Sequence, residues 1–161
     1  MVDPVVPATA TLLLVAAAFP VFLRGAGVVL NAEFVTWDVL TRHLRYIAVG
    51  LSLTTLPILV WMLPRFPARL QARRLLFLHA FLGVQAYAML LFGLTGIYRV
   101  FSAKREAELY RDPDPDAALN DLHPNMGAWR GRIRVGVFGY LFFWILAFVA
   151  GAFRYWVVYW S

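Results

Sequence analysis

Long apolar runs, separated by shorter polar segments, dominate the chain. Four runs, at about 8–30, 39–63, 75–98 and 135–158, are long enough to cross hydrocarbon, which takes about 20 helical residues. Backbone groups in lipid must be satisfied within their own segment, and these runs do not alternate as barrel strands do. The pattern therefore predicts an all-α fold. The four transmembrane helices would form a bundle, running up-down-up-down, in a single membrane domain over residues 1–161.

The segments between the runs predict where the helices end. Pro64 and Pro67 force a short turn, which makes the second and third helices antiparallel neighbours. The third helix is predicted to overshoot its apolar core, because IYRVFSAKREAELY holds good helix formers and no breaker. The prolines of an acidic loop, around 103–124, then end that helix. The fourth helix is expected to restart near Pro124.

Composition changes the picture in two ways. Hydrophobic residues make up 61% of the chain, and the mean hydropathy of +0.68 also favours a bilayer. Cysteine is absent, which excludes disulfides, thiolate metal sites and covalent c-type haem. The net charge is +6, but the arginines cluster at the ends of apolar runs, which is typical of membrane flanks rather than of nucleic-acid binding.

Catalytic and metal-binding patterns are weak in this sequence. No carboxylate lies within a predicted span, and no His–x–x–x–His spacing occurs. We therefore predict no catalytic residue and no metal site, and expect the protein not to be an enzyme in its own right.

The third run carries a histidine at the head of a row of small residues. At 100° per residue, steps of three and four from His79 lead to Gly83, Ala86 and Gly93. Small rows let membrane helices approach closely, so this face is predicted to pack and His79 to point at protein rather than lipid. Gln85 lies about 120° away and is expected to pair with another helix.

The second run repeats this arrangement. The same steps from His43 pass through Gly50, a predicted packing position, and reach Pro57. Proline should kink the helix and free a carbonyl, and the hydroxyl of Ser52 or Thr54, or a neighbouring helix, could compensate for the lost hydrogen bond.

The three histidines are candidate contacts for a haem or a quinone. Chain direction places His43 and His123 on one side of the membrane, so they could ligate one haem b, which needs two ligands at similar depth. His79 lies near the other side. Each also has a simpler interpretation: a carbonyl or Gln85 partner for His79, a headgroup-facing position for His43, and a loop or cap role for His123.

Three arginines are candidates for docking lipid headgroups or partner proteins. Arg24 lies within the first run and either snorkels or pairs with an acid, a propionate or a headgroup. Arg130 and Arg134 are four residues apart, on one helical face. The side that holds Arg42, Arg45 and the cluster Arg99–Arg134 has more bases than the other, which favours a cytoplasmic position for that side and termini outside the cell membrane. The short, dense basic turn Arg65–Arg74, on the side of the termini, favours the reverse orientation.

Three stretches carry a resemblance to known proteins. They are RHLRYIAVGL, LHAFLGVQAYAMLLFGLTGIYRVF and LHPNMGAWRGRIRVGVFGYLFFWILAFVAGAFRY. Together they resemble a family of small four-helix membrane proteins of halophilic archaea, and the resemblance covers most of residues 36–160. It implies an association with a Rieske and cytochrome b type respiratory complex. More distantly, the histidine positions are similar to those of small four-helix proteins of haem–copper oxidase assembly, although Trp61 and Met62 stand where those proteins have another histidine.

These observations lead to one expected function and two alternatives. The expected function is a small accessory subunit of a quinol-oxidising, cytochrome bc-like complex in the respiratory electron-transport chain. Its partners would be other integral membrane subunits, lipids and a quinone. The first alternative is a b-type cytochrome that binds haem through His43 and His123 or through His79. The second is a transient assembly factor for a haem–copper oxidase.

Overall fold

The computed structural model describes residues 4–62, 74–114 and 120–160, and within these ranges it contains helices and no strand. The four α-helices are α1 (Val5–Leu30), α2 (Trp37–Pro57), α3 (Arg74–Glu106) and α4 (Met126–Tyr159). All four are long and apolar enough to cross a membrane. The predicted all-α fold with four spanning helices is confirmed, and the chain is a multi-pass membrane protein.

The second span changes its helical form at Pro57. The α-helix ends at that residue, and Ile58–Met62 continue as a π-helical turn. Proline has no amide hydrogen for the carbonyl four residues earlier, and a π turn is one way in which a helix accommodates the resulting distortion. Of the predicted ways to compensate for the lost hydrogen bond, the two local hydroxyls are wrong, and a neighbouring helix stays a prediction. Ser52 donates to the carbonyl of Ala48, and Thr54 to those of Gly50 and Leu51, so neither reaches the freed carbonyl of residue 53.

The last two helices exceed the thickness of a bilayer, as predicted for the third. Helix α3 has 33 residues and α4 has 34, compared with about 20 needed to cross. The end of α3 differs from the prediction, because the helix stops before the prolines. Glu108 adopts a positive φ of 56°. Its backbone amide donates to the carbonyl of Arg105, and the backbone amide of Leu109 donates to the carbonyl of Lys104. This Schellman arrangement ends the helix without proline.

The described residues form two compact units. Of these residues, the first unit contains 4–32, 39–62, 74–79 and 148–160, and the second contains 33–38, 80–114 and 120–147. The predicted turn at Pro64 and Pro67, and residues 115–119 of the acidic loop, lie outside the described residues.

Three pairs of helices make antiparallel contacts within the units: α1 with α4, α1 with α2, and α3 with α4. In the first unit, Thr9 bonds to Tyr155, and Phe19 packs edge-on against Phe148, so the residue numbers rise along α1 as they fall along α4. Close approaches in the first unit also join residue 22 to 50 and residue 25 to 46. In the second unit, close approaches join residue 89 to 139 and residue 96 to 133. These contacts agree with the predicted up-down order.

Candidate functional site

A glycine in α1 brings α1 and α2 together near one end of the first unit. Gly25 is buried, and a β-carbon at this position would lie 2.9 Å from the β-carbon of Tyr46. The missing side chain therefore permits the two helices to approach closely. Because of this approach, the imidazole of His43 reaches the backbone of α1, where its Nδ1 lies 2.8 Å from the carbonyl oxygen of Gly25.

The bond to Gly25 sets the tautomer of His43. A carbonyl oxygen only accepts, so Nδ1 carries the hydrogen and donates it. In the neutral ring, Nε2 then keeps its lone pair. An Nδ1–H donor to a backbone carbonyl with a basic Nε2 is the common arrangement of histidines that ligate metals. His43 is half-buried, and its geometry suits a ligand or an acceptor at Nε2.

An open cleft lies beside this contact. It has a volume of about 590 Å³, and its polar lining consists of Arg24, Asn31 and Arg42. Small and apolar residues, such as Gly27 and Val39, complete it. The Nε of Arg24 donates to the hydroxyl of Tyr46 at 3.1 Å. The cleft therefore gathers two guanidinium groups and one side-chain amide between two spanning helices.

His79 has a different environment. A β-carbon at Gly151 of α4 would lie 2.9 Å from Cε1 and 3.1 Å from Nε2 of the ring, so the imidazole lies against the backbone of that helix. Its Nδ1 is buried and has no hydrogen-bond partner among the described residues. His79 thus faces protein, as predicted, but neither the predicted carbonyl bond nor a bond to Gln85 is seen there.

His123 acts as a cap within the second unit. Its Nδ1 accepts the backbone amide hydrogen of Asn125 at 3.0 Å, just before α4 begins. Its ring stacks on Trp129, with 4.2 Å between the ring centroids. In the neutral ring, accepting at Nδ1 places the hydrogen on Nε2, so neither nitrogen offers a lone pair to iron. The cap role is the simpler of the two interpretations made for this residue.

The residues present fit a haem b only in part. His43 has the orientation of an axial ligand, whereas His123 belongs to the second unit and is held by its cap. The other histidine of the first unit is His79, which lies beside Gly151, between the levels at which Phe148 and Tyr155 contact α1. On α1, the level of His43 is marked by Gly25, to which it is bonded. Measured along α1, the level of His79 is about ten residues, or about 15 Å, away from Gly25. Two axial ligands of one haem must share a depth.

The predicted packing positions fall in different surroundings. Gly50 is buried, and a β-carbon there would lie 2.5 Å from the ring of Phe22. Gly93 is buried, and its β-carbon would lie 3.2 Å from the α-carbon of Gly136. Ala86 is 1% exposed. At Gly83, a β-carbon would meet no described residue within 4 Å, so no packing is seen at this position.

The predicted docking arginines also differ. Arg24 lines the cleft. Arg130 is half-buried in the second unit, and its Nη1 lies 3.5 Å from the Asn120 side-chain oxygen, whereas Arg134 is exposed. The four-residue spacing therefore does not give these two residues equal exposure.

Sequence reasoning did not assign Asn31, Arg42 or Tyr46 to a site. The signal was present in part. Arg24, Gly27 and Asn31 follow one face of α1 at intervals of three and four, and Arg42 and Tyr46 do so on α2. The spacing of residues along the chain could not show that this face of α1 packs against this face of α2.

Comparison with known proteins gives a family and no further relatives. No curated protein and no solved structure matches the chain. The model of the domain of unknown function DUF7321 matches residues 4–160, which is nearly the full length. The chain therefore belongs to the DUF7321 family.

Proposed function

We propose that this protein is a small accessory subunit of a respiratory quinol-oxidising complex, packed against a larger cytochrome b-like membrane subunit. The respiratory assignment rests on the sequence resemblance described above. The structural observation that supports a membrane partner is Gln85. This amide lies near the middle of α3, is half-buried, and has no hydrogen-bond partner among the described residues.

An unbonded amide within a span is costly in hydrocarbon. A polar group there loses its hydrogen bonds to water, and interhelical bonds in membranes typically restore about 0.6 kcal/mol, and at most about 2. Gln85 can donate two hydrogens and accept others. A backbone carbonyl or hydroxyl of a neighbouring subunit would satisfy this amide. Such a bond would also fix the register of that subunit against α3.

The test is co-purification from native membranes. The tagged chain should recover cytochrome b-like and Rieske subunits in a stoichiometric complex. Gln85→Leu should reduce that recovery several-fold, whereas Val84→Leu should not, since Val84 is 64% exposed on the same helix and carries no polar group. If both variants recovered the partner subunits equally well, Gln85 would have no role in binding the partner. Substoichiometric recovery, together with loss of the oxidase on gene deletion, would instead favour the assembly factor.

A b-type cytochrome remains the second candidate, and the observation that favours it is His43. Its Nε2 is available for iron, while its Nδ1 is held by Gly25. When bound, haem b would supply one-electron transfer. The protein purified alone should then show a sharp alpha band in reduced-minus-oxidised spectra, and His43→Ala should abolish that band. A colourless preparation would exclude the cytochrome and leave the accessory role standing.

We also propose that the protein lies in the cell membrane with both termini outside. This orientation follows the greater number of basic residues near Arg42 and in the cluster Arg99–Arg134. The absence of native cysteine permits a direct test. Asn120→Cys should resist a membrane-impermeant maleimide in intact cells and react after lysis, whereas Ser161→Cys should react in both. The reverse pattern would place the termini inside.

A further inference from the structure

The cleft between α1 and α2 has the chemistry of an anion site. Two guanidinium groups, of Arg24 and Arg42, and the amide of Asn31 line a volume of about 590 Å³. No acidic residue is among the described residues that line it. Guanidinium groups match the oxygens of phosphate in charge and in the planar spacing of their donors.

The orientation of Arg24 is built into the fold. Its Nε donates to the Tyr46 hydroxyl, and this bond leaves the terminal Nη1 and Nη2 groups of the guanidinium for other partners. The two terminal amino groups have no hydrogen-bond partner among the described residues. Tyr46 is itself fixed by the close approach at Gly25. A long side chain that is held at Nε loses less conformational freedom when it binds an anion.

The depth of the cleft also suits lipid. Arg24 lies six residues before α1 ends at Leu30, which is about 9 Å along the axis. Asn31 caps that helix. An arginine at this depth can reach the headgroup layer while its stem stays in hydrocarbon, and basic pockets between spanning helices commonly receive anionic headgroups.

We propose that this cleft binds the phosphate group of an anionic membrane lipid. Arg24 and Arg42 supply the positive charge, Asn31 supplies an amide donor, and Tyr46 is a positioning residue that aims Arg24. The site is independent of the respiratory partner proposed above, because all of its residues belong to this chain.

The test uses the full-length protein in detergent, with native mass spectrometry as the readout. The protein is incubated with equal amounts of phosphatidylglycerol and phosphatidylcholine, and the ratio of the two retained lipids is measured. Wild type should prefer phosphatidylglycerol. Loss of one interfacial arginine, in Arg24→Gln or in Arg42→Gln, should lower the ratio about fivefold. The double variant should abolish the preference.

Two further variants separate the site from general surface charge. Arg45→Gln removes the same charge from an exposed arginine of α2 that does not line the cleft, so its lipid ratio should equal that of wild type. Tyr46→Phe retains every charge and should still lower the ratio, because Arg24 is no longer held. The melting temperature of each variant in detergent shows whether it is folded, and Arg42→Gln and Tyr46→Phe test the site even if Arg24→Gln does not fold.

Competition with inorganic phosphate distinguishes the two sources of the anion. Retention of phosphatidylglycerol in excess phosphate supports a lipid site. Displacement supports the same phosphate chemistry with a soluble anion as the ligand. The proposal is overturned if wild type shows no preference between the two lipids, or if Arg45→Gln lowers the ratio as much as Arg24→Gln does.

Discussion

The two units hold their helices together by different chemistry. In the second unit, the backbones of Gly93 and Gly136 meet directly, and a β-carbon built on either residue would press on the other. In the first unit, glycines meet side chains instead of backbone, as Gly50 does with Phe22. Hydrogen bonds add to these contacts, such as the bond from His43 to Gly25 and the bond between Thr9 and Tyr155. Lipid provides no hydrophobic drive for helix pairing, so close packing and hydrogen bonds are the two means that remain.

The two kinds of contact tolerate substitution differently. A backbone contact fails when any atom is added, because packed interiors accommodate extra volume poorly. A hydrogen-bonded contact fails only when a specific group is removed, and it can be replaced by another bond. Substitutions at each kind of contact should separate these two responses.

The largest effect is expected at the glycine contact. Gly136→Ala should destabilise the protein by about 1–3 kcal/mol, since the new methyl group would press on the Gly93 backbone. The matched control is Gly131→Ala in the same helix, where a β-carbon would meet no described residue within 4 Å. That change should stabilise α4 by about 0.5–1 kcal/mol. Thermal unfolding in detergent measures both, and effects of the same sign would contradict the assigned contact.

A smaller effect is expected where His79 lies against Gly151. Gly151→Ala places a methyl group 2.9 Å from Cε1 of the imidazole and should cost about 1–2 kcal/mol. The ring is the end of a rotatable side chain, so part of this cost can relax. In a His79→Ala background the same substitution should be nearly neutral. A double-mutant cycle measures the coupling, and additive effects would show that the two residues do not touch.

The hydrogen bond of His43 should contribute less than either glycine. His43→Phe keeps a planar ring but removes the donor to the Gly25 carbonyl, with an expected cost of about 1 kcal/mol. His43→Asn restores a donor of shorter reach and should recover part of the loss. Unfolding of the three proteins under one condition provides the comparison. A loss for Phe no larger than that for Asn would mean that the bond contributes little.

The smallest effect is expected outside the spans and only in alkaline solution. Tyr110 packs against Trp37 and Phe101, and burial raises the pKa of its phenol above the ordinary value of 10.0. A raised pKa in the folded state favours folding below pH 10, and the contribution is lost as pH rises through the folded value. The stability of wild type should therefore fall relative to Tyr110→Phe above pH 10. Parallel curves for the two proteins would show that the phenol does not titrate in this way.

Much of the fold followed from the chain alone, for a local reason. Apolar runs of sufficient length leave helices as the only solution in lipid, so the four spans were predictable from hydropathy. The overshoot of α3 was predictable in the same way from its helix formers. The stop at Glu108 was not, because a non-glycine residue in the left-handed region gives no composition signal.

The candidate sites required the tertiary structure. Periodicity places residues on a common face but does not state which helix faces them. Gly83 and Gly93 therefore looked equivalent in sequence, yet Gly93 meets Gly136 while no described residue packs against Gly83. Likewise, the sequence determined that Arg24 and His43 occur near helix ends. Only the close approach at Gly25 decided that His43 donates to a carbonyl and that Arg24 lines a cleft, because a contact between helices depends on distances that no single run contains.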